Sequence, residues 1–243
     1  MPDPNNRPIM IATRGSALAL AQANMMAAQC RATFPRLRFE LKIIKTTGDK
    51  LQKASMAKTD ASLPKGLFTK ELEVALVKGQ ADIAVHSLKD LPTDLPAGLV
   101  LAATPKRADV RDVLIYRSAD FIKQRAADKS SEDWTPGQDE LRGFAPHTKL
   151  KDFPKGATIA TSSTRRKAQL LVQRPDLKIV EIRGNVTTRM TKVGERGELD
   201  ATVLALAGLN RLNFSINPDG TISGDAVPDG LLATVLDVDV MLP

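Results

Sequence analysis

Short runs of Ile, Val, Leu and Ala alternate along the chain with longer stretches in which apolar residues recur at helical spacing. Ile9-Met10-Ile11-Ala12 predicts a first strand, and residues 16–30, rich in Ala, Leu, Met and Gln, predict a helix. Phe39 to Ile44 alternates as a second strand. Residues 51–64, full of Ser, Lys, Ala and Asp, show no period and are expected to form a mobile flap. A helix follows over Thr69 to Lys78, closed by Gly79. Ala81 to Val85 then predicts a strand buried on both faces. It cannot run on, because Leu91 precedes Pro92 and is pushed towards an extended or turn conformation, which places Lys89 and Asp90 on a loop beyond the strand's carboxyl end. Ligands of open α/β sheets bind outside such ends. The dipeptide reads equally as part of a site or as a solvated turn. Leu99 to Ala102 predicts one more short strand.

Thr104-Pro105-Lys106-Arg107 marks a hinge, so that residues 1–104 form one α/β domain and residues 105–243 a second. In the second, Val113 to Tyr116 predicts a strand. Residues 117–154 are charged and broken by Gly and Pro, and are expected to be a surface insertion that Trp134 pins to the body. Strand, turn and helix then recur: Ala157 to Ala160 before Lys167 to Gln173, Lys178 to Ile182 before Thr187 to Gly194, and Ala201 to Ala205 before a turn through Arg211. Leu231 to Leu236 predicts a helix and Val238 to Leu242 an extended segment. Strands alternating with helices give an α/β fold with mostly parallel sheets.

Composition narrows the function. The 243 residues are enough for two domains with real cores, and no apolar run approaches the roughly 18 residues of a membrane span. The N-terminus does not resemble a signal peptide, so a cytoplasmic location without membrane partners is expected. Cys30 is the single cysteine and the sequence has two histidines, so no internal disulfide or multi-thiolate metal site can form, and no metal is expected. Thirty-five Lys and Arg against 28 Asp and Glu give a formal charge of +7, which points to anionic partners.

The arginines show where such a partner binds. Arg14, the pair Arg165 and Arg166, and Arg183 with Arg189 all lie at or beside the start of a helix that follows a strand. Cations there oppose the helix dipole at roughly 0.3–1 kcal/mol each. Repeated breaking of that rule implies an anion held at these helix starts, with Ser16, Ser162, Ser163, Thr187 and Thr188 as caps or further donors. Arg pairs bidentately with carboxylate or phosphate. Because the arginines come from both domains, a cleft and a ligand with several negative groups are implied. Nucleic acid fits less well, since there is no basic helix face, zinc finger or aromatic platform. Asp90, a lone carboxylate among cations, would accept N–H groups or stabilise a developing cation.

Taken together, Ala12-Thr13-Arg14-Gly15-Ser16-Ala17-Leu18-Ala19, Lys65 to Glu73, the His86 to Pro92 turn, Thr161 to Gln169 and Arg183 to Arg189 resemble the hydroxymethylbilane synthase, or porphobilinogen deaminase, family. The resemblance runs in order along the chain outside residues 117–154 and the stretch after Leu212. It implies two periplasmic-binding-protein-like (type II) domains around a cleft, in a transferase that joins four porphobilinogen molecules head to tail with release of ammonia for tetrapyrrole and heme biosynthesis. It further implies that Asp90 is the catalytic carboxylate. Arg14, Ser16, Lys89, Ser163, Arg165, Arg166, Arg183, Arg189 and Arg211 would hold the acetate and propionate arms of substrate, primer and growing chain, and Lys65 and Phe68 belong to the active-site loop.

One departure stands out. Family members continue beyond a Leu-Pro like Leu242-Pro243 into a segment that returns to the first domain, then into a third, α+β domain whose cysteine carries the dipyrromethane cofactor. Here the sequence stops at Pro243, and Cys30, in the first helix, does not match that cysteine. The expectation is therefore a truncated enzyme without its covalent anchor, a monomer that a missing C-terminal segment would complete. The alternative is a non-catalytic protein that binds a pyrrole or polycarboxylate in the same cleft.

Overall fold

The computed structural model describes residues 7–48, 69–128 and 141–243. The chain divides into two compact units, Met1–Pro105 and Lys106–Pro243. The residue 51–64 flap, Lys65, Phe68 and Trp134 lie outside the described residues.

In the first unit, β1 (Ile9–Arg14) pairs in parallel with β2 (Phe39–Ile44) on one side and β3 (Ile83–Ala84) on the other, giving the order β2-β1-β3. Alternation along β1 sends Ile9 and Ile11 to one face and Met10 and Ala12 to the other. On the first face they meet Ala27 and Cys30 of α1 (Ala17–Thr33); on the second, Leu72 and Leu76 of α2 (Lys70–Val77). β3 is shorter and more open than its composition predicts: Ile83 is 39% exposed. Among the described residues β3 pairs with β1 alone, so no second neighbour covers its other edge. Residues 99–102 form no strand for the same reason. Without a ladder partner, Val100 is left 82% exposed.

The second unit holds a five-stranded sheet, ordered β10-β4-β7-β5-β6. Its strands are β4 (Asp112–Arg117), β5 (Thr158–Ala160), β6 (Lys178–Val180), β7 (Ala201–Ala205) and β10 (Leu231–Val235). The parallel trio β6-β5-β7 repeats the order of β2-β1-β3, with helices between its strands in sequence. β4 runs antiparallel to both β7 and β10, so this sheet is mixed rather than mostly parallel. Every residue of β4 is buried. Leu114 and Tyr116 enter one core layer with Ile159, Leu170 and Val203, while Val113 and Ile115 enter the other with Met190, Val193 and Leu209. The helices are α3 (Ala119–Asp128), α4 (Thr164–Gln173), α5 (Val186–Glu195) and α6 (Leu206–Arg211), and a two-stranded ribbon joins β8 (Ser215–Ile216) to β9 (Ile222–Ser223). No helix among the described residues is long and apolar enough to cross a membrane.

Three further expectations are corrected here. Of the predicted helix Leu231 to Leu236, Leu231–Val235 form β10 instead. Pairing with Val113 to Arg117 buries Leu231, Leu232 and Ala233, a gain that outweighs the helical preference of Leu and Ala. The segment after it is a turn, with the Val240 and Met241 amides donating to the Asp237 carbonyl at 3.0 Å. Residues 117–154 are only partly surface. They include α3, and Phe144 and Phe153 pack edge-on against Tyr116 at 6.1 and 5.9 Å between ring centres.

Several local ion pairs make stability depend on acid. Arg111 donates to Asp109 through Nε and Nη2 and holds that carboxyl down at about 2; Arg174 keeps Asp176 well below the usual carboxylate range, and Arg7 lowers Asp82. Each folded value lies below the unfolded one, so the contribution is complete above about pH 4 and is lost as pH falls through the folded value. The urea midpoint is therefore expected to hold steady from pH 7 to 5 and to drop between pH 4 and 2. A midpoint flat across that window would rule these pairs out as contributors.

Candidate functional site

The charged residues gather at the carboxyl edge of each parallel trio. In the first unit, β1 ends at Arg14, and Ser16 caps α1 by accepting from the Ala19 amide at 3.3 Å. β3 ends at Ala84, after which the chain turns through a single 3-10 turn, Leu88–Asp90, whose last amide donates to the Ser87 carbonyl at 2.9 Å. These two ends enclose a recess of about 100 Å³ lined by Arg14, Ser16, Gln22, His86, Lys89 and Asp90 among others. Among the described residues the Asp90 carboxylate makes no hydrogen bond or ion pair, and it is exposed. The sequence marks His86 and Ser87 only as part of the His86 to Pro92 turn, and it does not mark Gln22. Ser87 donates to the Gln22 amide oxygen at 3.0 Å, tying the turn to α1. A polar residue on the inner side of a helix otherwise rich in Ala and Leu was the available signal.

In the second unit, Arg165 and Arg166 occupy the first turn of α4, which Ser163 caps by accepting from the Arg166 amide at 3.4 Å. Both reach Asp112, a 3% exposed carboxylate at the start of β4. Arg166 pairs with it bidentately at 2.9 and 2.7 Å and also donates to the Val203 carbonyl at 3.0 Å. Arg165 makes one bond to Asp112 at 2.9 Å and one to the Leu242 carbonyl. The sequence gives little warning of Asp112, whose only mark is an acid directly before a fully apolar strand.

The turn after β6 brings Arg183 beside Glu181 at 3.5 Å and sets Arg189 on α5 with Nε donating to the Gly184 carbonyl at 2.9 Å. Burial, and secondarily the nearby Arg166 charge, lower the Arg189 guanidinium below its ordinary value. The cap of α5 is Asn185, which accepts from the Thr188 amide at 2.8 Å; Thr187 and Thr188 are helical, and Ser162 is committed to both backbone groups of Ile182. These hydroxyls therefore do not serve as the expected caps. Arg211 ends α6. Among the described residues no group of three or more His, Cys, Asp or Glu could hold a metal.

Gly184 is the hinge of this turn. Its φ is +117°, and an added Cβ would lie 2.7 Å from the Thr188 methyl. Gly184→Ala is expected to cost about 1–3 kcal/mol from backbone strain. Because the Gly184 carbonyl holds Arg189, anion affinity should fall with it. A thermal melt and a calorimetric titration check the two effects separately, and an unchanged melt would show that the turn is not strained.

Arranged in this way, the chain presents guanidinium groups, hydroxyls and an ammonium at strand ends, with one exposed carboxylate in the recess of the first unit. That chemistry suits a ligand with several carboxylates and a positive or N–H-bearing centre.

A family model described as "Porphobilinogen deaminase, dipyromethane cofactor binding domain" matches residues 9–239. Porphobilinogen deaminase of Desulforudis audaxviator is 44% identical over 209 residues, 86% of this chain and 57% of that protein. The enzyme of Chloroherpeton thalassium is 41% identical over 95% of this chain and 65% of its own length, and that of Clostridioides difficile 40% over 97% and 63%. The chain thus spans less than two thirds of these relatives. Solved structures are looser matches. HinK, a LysR family transcriptional regulator from Pseudomonas aeruginosa, aligns at TM-score 0.45 and 13% identity over 98% of this chain and 60% of its own. An ancestral cyclohexadienyl dehydratase aligns at 0.40 and 11% over 98% and 76%. Likeness at that level bears on nothing further. With the match extending over residues 9–239, the chain belongs to the porphobilinogen deaminase family.

Proposed function

We propose that this chain supplies the catalytic carboxylate and the acid-binding side chains of a hydroxymethylbilane synthase, which condenses four porphobilinogen molecules with loss of one ammonia each. The observation that carries the reading is the recess in which Arg14, Ser16, Lys89 and Asp90 meet although their positions lie more than 70 residues apart. Asp90 accepts the pyrrole N–H and stabilises the cation that forms as the protonated aminomethyl group leaves as ammonia. The free α-carbon of the terminal pyrrole of the growing chain attacks that cation and then loses its proton. Arg14, Ser16, Lys89, Ser163, Arg165, Arg183, Arg189 and Arg211 pair with acetate and propionate arms. Arg166 joins them with most of its donors already in use.

The donor set also fits the carboxylates of dipyrromethane, which when bound supplies the carbon that accepts the first ring. Arg165, Arg183 and Arg189 are the residues that would hold it. Cys30 does not fit as its thioether anchor, since it packs beside Ile11, Ala27 and Phe39 as a small apolar residue.

Calorimetry with porphobilinogen, run beside a primer-dependent ammonia-release assay, tests the reading. Binding with ammonia release supports it, whereas binding without release favours a non-catalytic pyrrole-binding protein. Arg165→Gln should weaken binding by about 1.5–3 kcal/mol, the worth of a charged hydrogen bond, and an unchanged affinity would remove Arg165 from the set.

A further inference from the structure

Each condensation needs a base. When the new carbon–carbon bond forms, the attacking α-carbon still carries its hydrogen, and the ring regains aromaticity only when that proton passes to an acceptor. Of the side chains that line the recess of the first unit, Arg14 and Lys89 are cations, and Ser16, Gln22 and Ser87 are neutral groups that take up no proton at neutral pH. Asp90 has to stay ionised to face the next developing cation. His86 brings to the same recess an imidazole, the side chain that takes up and returns protons near neutrality.

The turn sets His86 and Asp90 on a common support. Just before His86, the Val85 amide donates to the Ala12 carbonyl of β1 at 3.1 Å, and just after it the Ser87 hydroxyl is tied to Gln22 of α1. The Ser87 carbonyl lies 3.2 Å from His86 Nδ1 and accepts the Asp90 amide at 2.9 Å. A carbonyl oxygen can only accept, so Nδ1 carries the proton of the neutral ring and the lone pair sits on Nε2. Once Nε2 is protonated, the same carbonyl oxygen faces the imidazolium through its Nδ1–H and steadies the charge.

We infer that His86 is the base of the condensation: its Nε2 takes the α-proton of the ring that has just formed the new bond, while Asp90 keeps its charge for the pyrrole N–H and the cation. The inference rests on the proposed hydroxymethylbilane synthase reading. In each round one carbon–nitrogen bond breaks with loss of ammonia and one carbon–carbon bond forms. The electron pair of the α-carbon–hydrogen bond returns to the ring, and the proton moves to Nε2 and from there to water, so nothing is oxidised or reduced.

Primer-dependent ammonia release by the full chain, measured with ordinary and with α-deuterated porphobilinogen, tests the assignment. After the first addition every chain terminus carries deuterium, so slow removal of the proton shows as an isotope effect. His86→Gln is expected to lower the rate about a hundredfold, the usual worth of a positioned base, and to make the deuterated substrate react several-fold more slowly than the ordinary one. An unchanged rate, or a fall that is equal for both isotopes, would overturn the inference while leaving the proposed function intact; a wild type that releases no ammonia would overturn both. Should His86→Gln fail to fold, nitrogen NMR of the wild-type imidazoles decides. A neutral His86 ring protonated on Nδ1 is expected, and a ring protonated on Nε2, with no lone pair there to take the proton, would overturn the inference.

Discussion

Asp90→Asn is expected to slow ammonia release from porphobilinogen by at least about a hundredfold, the usual cost of losing a charge aimed at a developing transition-state charge. The melting temperature should barely move. The carboxylate is exposed and makes no hydrogen bond or ion pair among the described residues, and surface changes of that kind stay within about 0.5 kcal/mol. The amide is nearly isosteric and still accepts a hydrogen bond, so what it lacks is negative charge. Affinity for porphobilinogen should therefore change far less than turnover, because the ground state is held by its carboxylates. An unaltered rate would take Asp90 out of the mechanism; equal losses in affinity and rate would make it a binding group.

How far the sequence reveals this arrangement depends on the range of the interactions. The repeated strand, turn and helix pattern is local, and it shows in β1, β2, β5 and β7, whose apolar runs are short and bounded by turn residues. The arginines at helix starts are also legible, because their placement offends a local electrostatic rule. Asp112 is not, since its role depends on α4 lying across the start of β4, 53 residues away in sequence. β10 misleads for a similar reason: Leu231 to Val235 would suit a helix, and only the free edge of β4 makes it a strand. Residues 99–102 are the converse, an apolar run that looks like a strand and has no partner among the described residues. Pattern reports what a segment prefers; the sheet decides which preferences are met.

Arg117 illustrates the same limit with a larger consequence. It closes β4 as a residue 1% exposed, in a run the sequence reads as the start of a surface insertion. Its guanidinium donates to the carbonyls of Arg142 at 2.9 Å and Arg196 at 3.2 Å, and to those of Val193 and Leu199. Three of these carbonyls belong to the end of α5 and the loop after it, so Arg117 caps the helix that carries Arg189. Burial pushes the guanidinium below its ordinary value, and the nearby charge of Asp200 opposes that shift. Asp200 itself is fully buried, accepts from the Thr158 amide at 2.8 Å, and lies 3.1 Å from Arg142 Nε, close enough for charge pairing though poorly aligned for a hydrogen bond. Replacing a whole buried ion network by apolar residues can be neutral, but Arg117→Met removes one member and leaves the carbonyls and Asp200 behind. The expected loss is about 3–5 kcal/mol, a fall in melting temperature on the order of 10 °C for a unit of this size. Differential scanning calorimetry would measure it. The second unit's transition should move while that of the first stays, and a second-unit transition left in place would show that water or neighbouring donors replace the guanidinium without cost.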